Sequence, residues 1–425
     1  MKAYILTTNK SIEPFREHTR DCLIGNQKLS DIHKEVLHSI GLTPIFISKD
    51  KQIEDSEEYI SFDDTLFFTK KILLEFIIKS RRLNKATVCA IKPPTPGPYF
   101  YGMLATQDVK VYSDRVEYPL IYRPSLDSRV EPTPLLIDVD QHQVAAPLPE
   151  HMFGFDEYRI PVTDKVIVQI NHWTNLHYAN LAMSANEPAS LLNSKTKLLS
   201  AILKSRSFNQ WKVGHHANRI GKNCDIHPRA WVEFSTLGDN VKIGAGSVVN
   251  CSVVGSGTMI GNNATTEFSV VGDRCWIGSG SMVRYSLLYP GVLTVARLIN
   301  YSVCGRNTFL GDGVTLCDFR LDGKSIPVIE NDSTINTESP LLGTCLGHGV
   351  YLGAGCIVGP GRVIPNGIRL SPDKSRIITK VDSDGFLLGY RRISEYNSYH
   401  SIPTTTGERT RKPLLRRILK LPSVK

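Results

Sequence analysis

Apolar residues follow two different rhythms along this chain. Up to about residue 180 they switch between strand and helix periods. Residues 3–7, 44–48 and 87–91 read as short buried strands. Residues 31–40 and 69–82 read as helices, the second carrying Ile72, Leu73, Phe76 and Ile77 on one face. Strands alternating with helices predict a mostly parallel sheet covered on both sides, that is, an α/β domain. From about residue 220 the rhythm changes. Residues 237–253, 254–270 and 271–287 align with one another at a period of 17, and 288–303 and 304–321 continue the register with one residue fewer and one more. Within each unit small aliphatic residues recur about six apart, as at Ile243 and Val249 or Ile277 and Val283, usually with a following glycine such as Gly244 or Gly278. A period of six requires a corner after every short strand, and the Gly, Asn and Asp beside those corners favour the positive φ that the turns demand. Three strands and three corners close one triangular coil, and stacked coils bury a shared interior. The pattern predicts a left-handed parallel β-helix over residues 218–370.

The remaining divisions follow from these two. Residues 1–182 form the α/β domain and 183–217 a helical connector whose stretch 191–211 caps the first coil. Residues 371–400 read as a strand–turn–strand cap at the other end, turning at Asp382-Ser383-Asp384-Gly385, and 401–425 as a basic tail. Residues 92–98 hold four prolines and read as a surface loop, and residues 322–338 form an excursion from the coils that predicts a protruding loop.

Composition adds three points. The formal charge of +9 owes much to residues 409–425, which carry seven basic residues and no acid; the coils show no basic face of the kind nucleic acid requires. In that tail Leu414, Leu415, Ile418, Leu419 and Leu421 recur near helical spacing, which suits weak contact with an anionic membrane, a solvated tail or docking on a neighbouring subunit. Nine dispersed cysteines without a CxxC predict reduced thiols and a cytoplasmic protein, and argue against zinc. No apolar run approaches the length of a membrane span, and the apolar start is too short for a secretory signal.

The coil motifs Asn250-Cys251-Ser252-Val253-Val254-Gly255 and Glu267-Phe268-Ser269-Val270-Val271-Gly272 resemble the coils of sugar-nucleotide pyrophosphorylases. The opening Ile226-His227-Pro228 is similar to that of many hexapeptide acyltransferases. At the other end of the chain, Met1-Lys2-Ala3-Tyr4-Ile5-Leu6 and Phe62-Asp63-Asp64-Thr65-Leu66-Phe67 resemble the first strand and the metal-binding strand of sugar-1-phosphate nucleotidyltransferases. The resemblance implies a Rossmann-like, nucleotidyltransferase-type α/β domain, with Mg²⁺ at Asp63 and Asp64 and a sugar phosphate or nucleotide sugar near Arg20 and Lys28. The departures are specific. The family's glycine-rich loop reads Thr7-Thr8-Asn9-Lys10-Ser11 here, and its second metal aspartate aligns with Gln169. A loop without glycine holds its amides away from phosphates, and a neutral amide leaves a divalent cation short of charge. Asp63 and Asp64 then have an alternative role as a helix-entry cap.

Acyl transfer in the hexapeptide enzymes uses a histidine as general base on the acceptor, with an acetyl-CoA or other acyl-CoA donor. The resemblance nominates His348 and His216 as catalytic. The stretch from Gly313 to Lys324 is similar to a segment of the bifunctional N-acetylglucosamine-1-phosphate uridylyltransferases, which implies substrate contact by Asp318 and Lys324. The histidine that precedes this segment in those enzymes is missing, Asn300-Tyr301-Ser302 standing there. Two readings stay open. One is a transferase acting on a sugar phosphate or nucleotide sugar, with acyl chemistry on the β-helix and a degenerate nucleotidyltransferase domain. The other is a non-catalytic scaffold or regulatory protein assembled through the coils. Either is expected to form a homo-oligomer, a trimer or a multiple of one.

Overall fold

The N-terminal strands pair in an order that threads one antiparallel member through a parallel sheet. In the computed structural model, which describes residues 1–48, 53, 57–93, 104–124, 130–139, 142–330 and 333–373, these are β1 (Lys2–Thr7), β2 (Thr43–Ser48), β3 (Tyr59–Asp63), β4 (Thr87–Ile91), β5 (Val116–Arg123) and β6 (Thr133–Ile137). The order is β6-β4-β5-β3-β1-β2. Strand β1 runs parallel to β2 and β3, β6 runs parallel to β4, and β5 is antiparallel to both neighbours. Helix α1 (Leu29–His38) packs near β2 and α2 (Lys70–Leu83) near β6. Ile72, Leu73, Phe76 and Ile77 of α2 are buried together with the sheet, as their spacing predicts. The fully buried β3 and β4 have both faces covered, whereas the edge strand β2 is partly exposed. The helix expected at residues 31–40 begins two residues earlier, and the loop expected at 92–98 lies mostly outside the described residues.

The coils stack as predicted. Three parallel sheets form the faces of a prism, with eight, eight and seven strands. Face 1 runs from Arg219–Ile220 to Val363–Ile364, face 2 from Asp225–Ile226 to Arg369–Leu370, and face 3 from Trp231–Glu233 to Ile357–Val358. The ladders keep a shift of 17 residues through the first coils, as in Ile243↔Ile260↔Ile277 on face 2. Their inward residues form one continuous interior with Val249, Val283, Leu310, Leu316 and Leu352.

The recurring serine of the coil motif has a definite task. The backbone N–H of Ser252 donates to Ser235 Oγ at 3.1 Å, that of Ser269 to Ser252 Oγ at 3.2 Å and that of Ser286 to Ser269 Oγ at 3.1 Å. Each of these hydroxyls donates in turn to a carbonyl of its own coil, so a buried column of hydroxyls leaves no amide unpaired at that corner. The position just before each of these serines departs from the expected Gly, Asn or Asp. Cys251, Phe268, Tyr285 and Tyr301 adopt φ of 45–46° there. Phe268 stacks on Tyr285 at 5.5 Å and Tyr285 on Tyr301 at 4.8 Å, so the aromatic ladder offsets the backbone strain.

Two features join the α/β domain and the coils into one unit spanning Met1–Ser371. On face 1 the outward residues Val270, Leu287, Val303 and Cys345 are as buried as the inward ones, because Ile12, Phe15, Ile24, Trp173 and Leu176 cover them. Trp173 and Leu176 belong to α4 (Trp173–Ser184), which is buried nearly all round between the two parts. The described part of the excursion at 322–338 is docked at its base. It forms a hairpin, Pro327–Glu330 with Ser333–Asn336, and Ile326 and Val328 join the same core. Gly323, at φ +67°, lies so close to the short helix α3 (Glu150–Phe153) that a Cβ would fall 1.9 Å from the Met152 carbonyl oxygen. At the other end, α5 (Asn186–Leu192), α6 (Lys195–Ser205) and α7 (Gln210–His215) close the first coil, with Leu191, Ala201 and Val213 packed around Phe234. The expected strand–turn–strand cap, beyond Asp373, and the basic tail lie outside the described residues. Among the described residues, no helix is long and apolar enough to cross a membrane.

Candidate functional site

The residues nominated from the sequence fall in four separate places. The first is the loop after β1. Asp64 accepts from the Thr8 backbone N–H at 3.0 Å and from the Thr8 hydroxyl at 2.7 Å. That carboxylate therefore holds the glycine-free loop against the end of β3. Gln169 does converge on this spot, on the strand Ile167–Gln169, but its amide donates to Thr65 at 2.7 Å. A carboxylate engaged by Thr8 beside a neutral amide does not fit a divalent cation, so the Mg²⁺ expected at Asp63 and Asp64 is not supported. Among the described residues no group of three potential metal ligands occurs. The alternative helix-entry cap fails as well. Thr69 occupies the N-cap of α2, and the strand Leu66–Phe68 separates it from Asp63 and Asp64.

The second place holds Arg20 and Lys28. Both turn to Asp21, at 4.0 and 3.1 Å, in an exposed ion cluster and not toward Asp64. The third lies on face 3 and its corner. Asp318 accepts from the Asn300 amide at 2.6 Å, and burial raises its carboxyl above the ordinary range despite that bond. Lys324 is exposed, with its backbone N–H directed at Asp322. Arg20, Lys28, Asp318 and Lys324 thus share no common pocket.

His348 occupies the fourth place, at the corner between faces 1 and 2. Its Nδ1 accepts the Arg306 backbone N–H at 2.8 Å, which engages that lone pair. Its Nε2 lies 3.1 Å from Glu17 Oε1, without hydrogen-bond alignment. The ring sits between Phe15, at 5.1 Å, and Tyr289, at 5.5 Å. Arg306 pairs with Glu17 at 2.9 Å, and the Asn366 amide donates to the Phe15 carbonyl at 3.0 Å. Burial acts to raise the Glu17 carboxyl, but His348 and Arg306 outweigh it and hold the carboxyl below its ordinary value. Residues from three consecutive coils therefore grip residues 15–17, and His348 acts as a latch between the two parts where a general base was expected. Glu17→Ala is expected to lower stability by about 1–3 kcal/mol. In a double-mutant cycle by urea unfolding, Arg306→Ala should add less in the Glu17→Ala background than in the wild type.

His216 is placed differently. Its Nδ1 lies 2.9 Å from the Lys212 carbonyl oxygen, which can only accept, so the hydrogen is on Nδ1 and the Nε2 lone pair is left over. The side chain lines a surface cleft of about 350 Å³ with Thr196, Lys197, Ser200, Lys204 and Arg219. Helix α6 contributes Thr196, Ser200 and Lys204 from one face, four residues apart. The turn after α7 contributes His216, and the first strand of face 1 contributes Arg219. The lining holds three cations, two hydroxyls and an imidazole, and no acid. Such a cleft can bind a phosphorylated, hydroxyl-rich ligand and place a base beside it. The sequence reading singled out His216 but not Lys197, Lys204 and Arg219. The repeat of polar residues at 196, 200 and 204 was the available signal, and only the folded connector brings Arg219 to it.

No protein-family profile matches this chain, and no curated protein matches it. Among solved structures, one similar to it is a Bacillus cereus protein provisionally classed as an acetyltransferase, at 17% identity over 36% of this chain and 80% of that one, with a TM-score of 0.15. Another is a hexapeptide transferase family protein from Anaplasma phagocytophilum, at 14% identity over 39% and 86%, with a TM-score of 0.14. A third is the acetyltransferase domain of PglB from Neisseria gonorrhoeae, at 19% identity over 35% and 51%, with a TM-score of 0.13. These likenesses span little more than a third of the chain and carry no argument about its activity. The hexapeptide-type β-helix rests on the strand register and coil length described above.

Proposed function

We propose that this chain is an acyltransferase that moves an acyl group from an acyl-CoA to a phosphorylated sugar or nucleotide sugar, with the chemistry at the first coil and not in the α/β domain. The single observation that carries this reading is His216, with its Nε2 unengaged, on a cleft lined by Lys197, Lys204 and Arg219. The three cations hold the acceptor's phosphate. His216 Nε2 takes the proton from an acceptor hydroxyl or amine as that atom attacks the thioester carbonyl. The carbon–sulfur bond breaks, and the coenzyme A thiolate leaves and takes up a proton. Assembly belongs to the same reading. Faces 2 and 3 carry exposed Met259, Trp276, Met282 and Leu298, apolar surface for further copies in a trimer.

The test is acetyl-CoA titration in calorimetry followed by turnover on phosphorylated sugars. His216→Ala is expected to lower kcat by about 10²–10⁴-fold while the protein melts as before. No response to any acyl-CoA would sink the reading. The second reading is a non-catalytic scaffold, favoured by Thr8 engaging Asp64, Gln169 in place of a carboxylate, and the latch made by His348. It requires that His216→Ala leave cellular function intact.

A further inference from the structure

Among the described residues, the helical connector leaves an apolar ridge uncovered. Leu199 and Leu203, one turn apart on α6, are 58% and 67% exposed, Phe208 after that helix is 90% exposed, and Trp211 on α7 is 53% exposed. The opposite side of α6 fixes which way the ridge points, because Leu198, Ala201 and Ile202 pack with Val213 and Phe234 on the first coil. Residues 195–212 carry five cations (Lys195, Lys197, Lys204, Arg206 and Lys212) and no acid. Lys197 and Lys204 line the cleft of His216. Lys195 and Arg206, four residues before Leu199 and three after Leu203, are exposed along the ridge itself, as is Lys212 beside Trp211.

Four large apolar side chains standing in water on one short segment mark a contact surface. Its charge selects the partner. A second copy meeting this ridge across a two-fold axis would oppose cation to cation. A negatively charged bilayer instead accepts the side chains of Phe208, Trp211, Leu199 and Leu203 among its acyl chains and pairs the cations with its headgroups. We propose that the connector is a peripheral membrane-binding face for anionic phospholipid. The tail sequence at 409–425, with seven cations, no acid and aliphatic residues at helical spacing, repeats the same chemistry, and stable attachment generally needs two such signals. The inference is independent of the acyltransferase reading.

Flotation of the full chain with vesicles tests it. Binding is expected to phosphatidylcholine vesicles containing phosphatidylglycerol, weakening as salt is raised, and not to phosphatidylcholine alone. Phe208→Ser with Trp211→Ser should keep the melting temperature of the wild type and bind the anionic vesicles about tenfold or more weakly. Lys195→Gln with Arg206→Gln should weaken binding to a similar degree. The proposal is overturned by equal binding to neutral vesicles, by no binding of the full chain, or by unchanged binding of the Phe208→Ser/Trp211→Ser variant. It is also overturned if that variant breaks an oligomer while vesicle binding persists, since the ridge would then be a subunit contact.

Discussion

Ile277→Asp is expected to unfold the β-helix, while a serine one residue earlier, in Trp276→Ser, changes stability little. Ile277 is fully buried, stacked between Ile260 and Thr294 of the adjacent coils. Trp276 points outward from the same strand and is 48% exposed. A carboxylate at the inner position has no cation and no water to meet. It must either stay charged in an apolar interior or take up a proton far above its ordinary range, and either route costs more than about 4 kcal/mol. The loss does not stay in one coil, because each coil is stable only through its neighbours. Urea unfolding followed by circular dichroism should show the soluble Ile277→Asp protein, if any is recovered, without the coil transition. A native-like midpoint for that variant would contradict the assigned interior. The unfolding free energy of Trp276→Ser should stay within about 0.5 kcal/mol of the wild type as a monomer.

That pair of neighbours shows what was legible beforehand. The 17-residue register identifies which aliphatic residues face inward, because successive strand residues alternate sides and identical positions stack. The serine column follows from the same register. The corner aromatics at Phe268, Tyr285 and Tyr301 were not foreseen, since their left-handed backbone is stabilised by stacking on the next coil and not by residue type. The latch was equally hidden. Glu17 and His348 are far apart in sequence, and no local pattern brings them together. The resemblance nominates His348 as a base, yet its environment is decided by Phe15 and Arg306. The metal reading failed for a different reason. Asp63 and Asp64 match a motif, but Gln169 and the glycine-free loop beside them do not, and the folded loop engages Asp64 through Thr8.

Acidification should destabilise the protein from an unusually high pH. Burial pushes His33, His172 and His177 from their ordinary 6.5 down to about 4. His33 Nε2 and His177 Nε2 each lie 2.7 Å from a backbone carbonyl oxygen, of Leu66 and Tyr285, and these bonds only partly oppose the shift. All three imidazoles are neutral in the folded chain near neutrality, whereas the unfolded chain takes up their protons below about pH 6.5. Their contribution is therefore fully present above pH 6.5 and is lost as the pH falls toward 4. It amounts to roughly 3 kcal/mol for each fully buried ring. Glu17 adds to the loss at still lower pH, since its depressed carboxyl must be protonated there. Urea midpoints measured across this range should fall steeply. His33→Phe, whose ring would lie against Phe62 and Phe68 as the imidazole does, should remove one proton from the slope. A flat profile from pH 6.5 to 4 would rule the assignment out.

The covered face of the prism has a consequence for synthesis. Ile12, Phe15, Trp173 and Leu176 leave the ribosome well before Val270, Leu287, Val303 and Cys345 exist to receive them. At the usual pace of elongation the interval is on the order of ten seconds or more, during which a broad greasy surface stands open to other nascent chains. Production of this protein should accordingly depend on holdase chaperones. Truncated products ending before Val270 would be the species that aggregate.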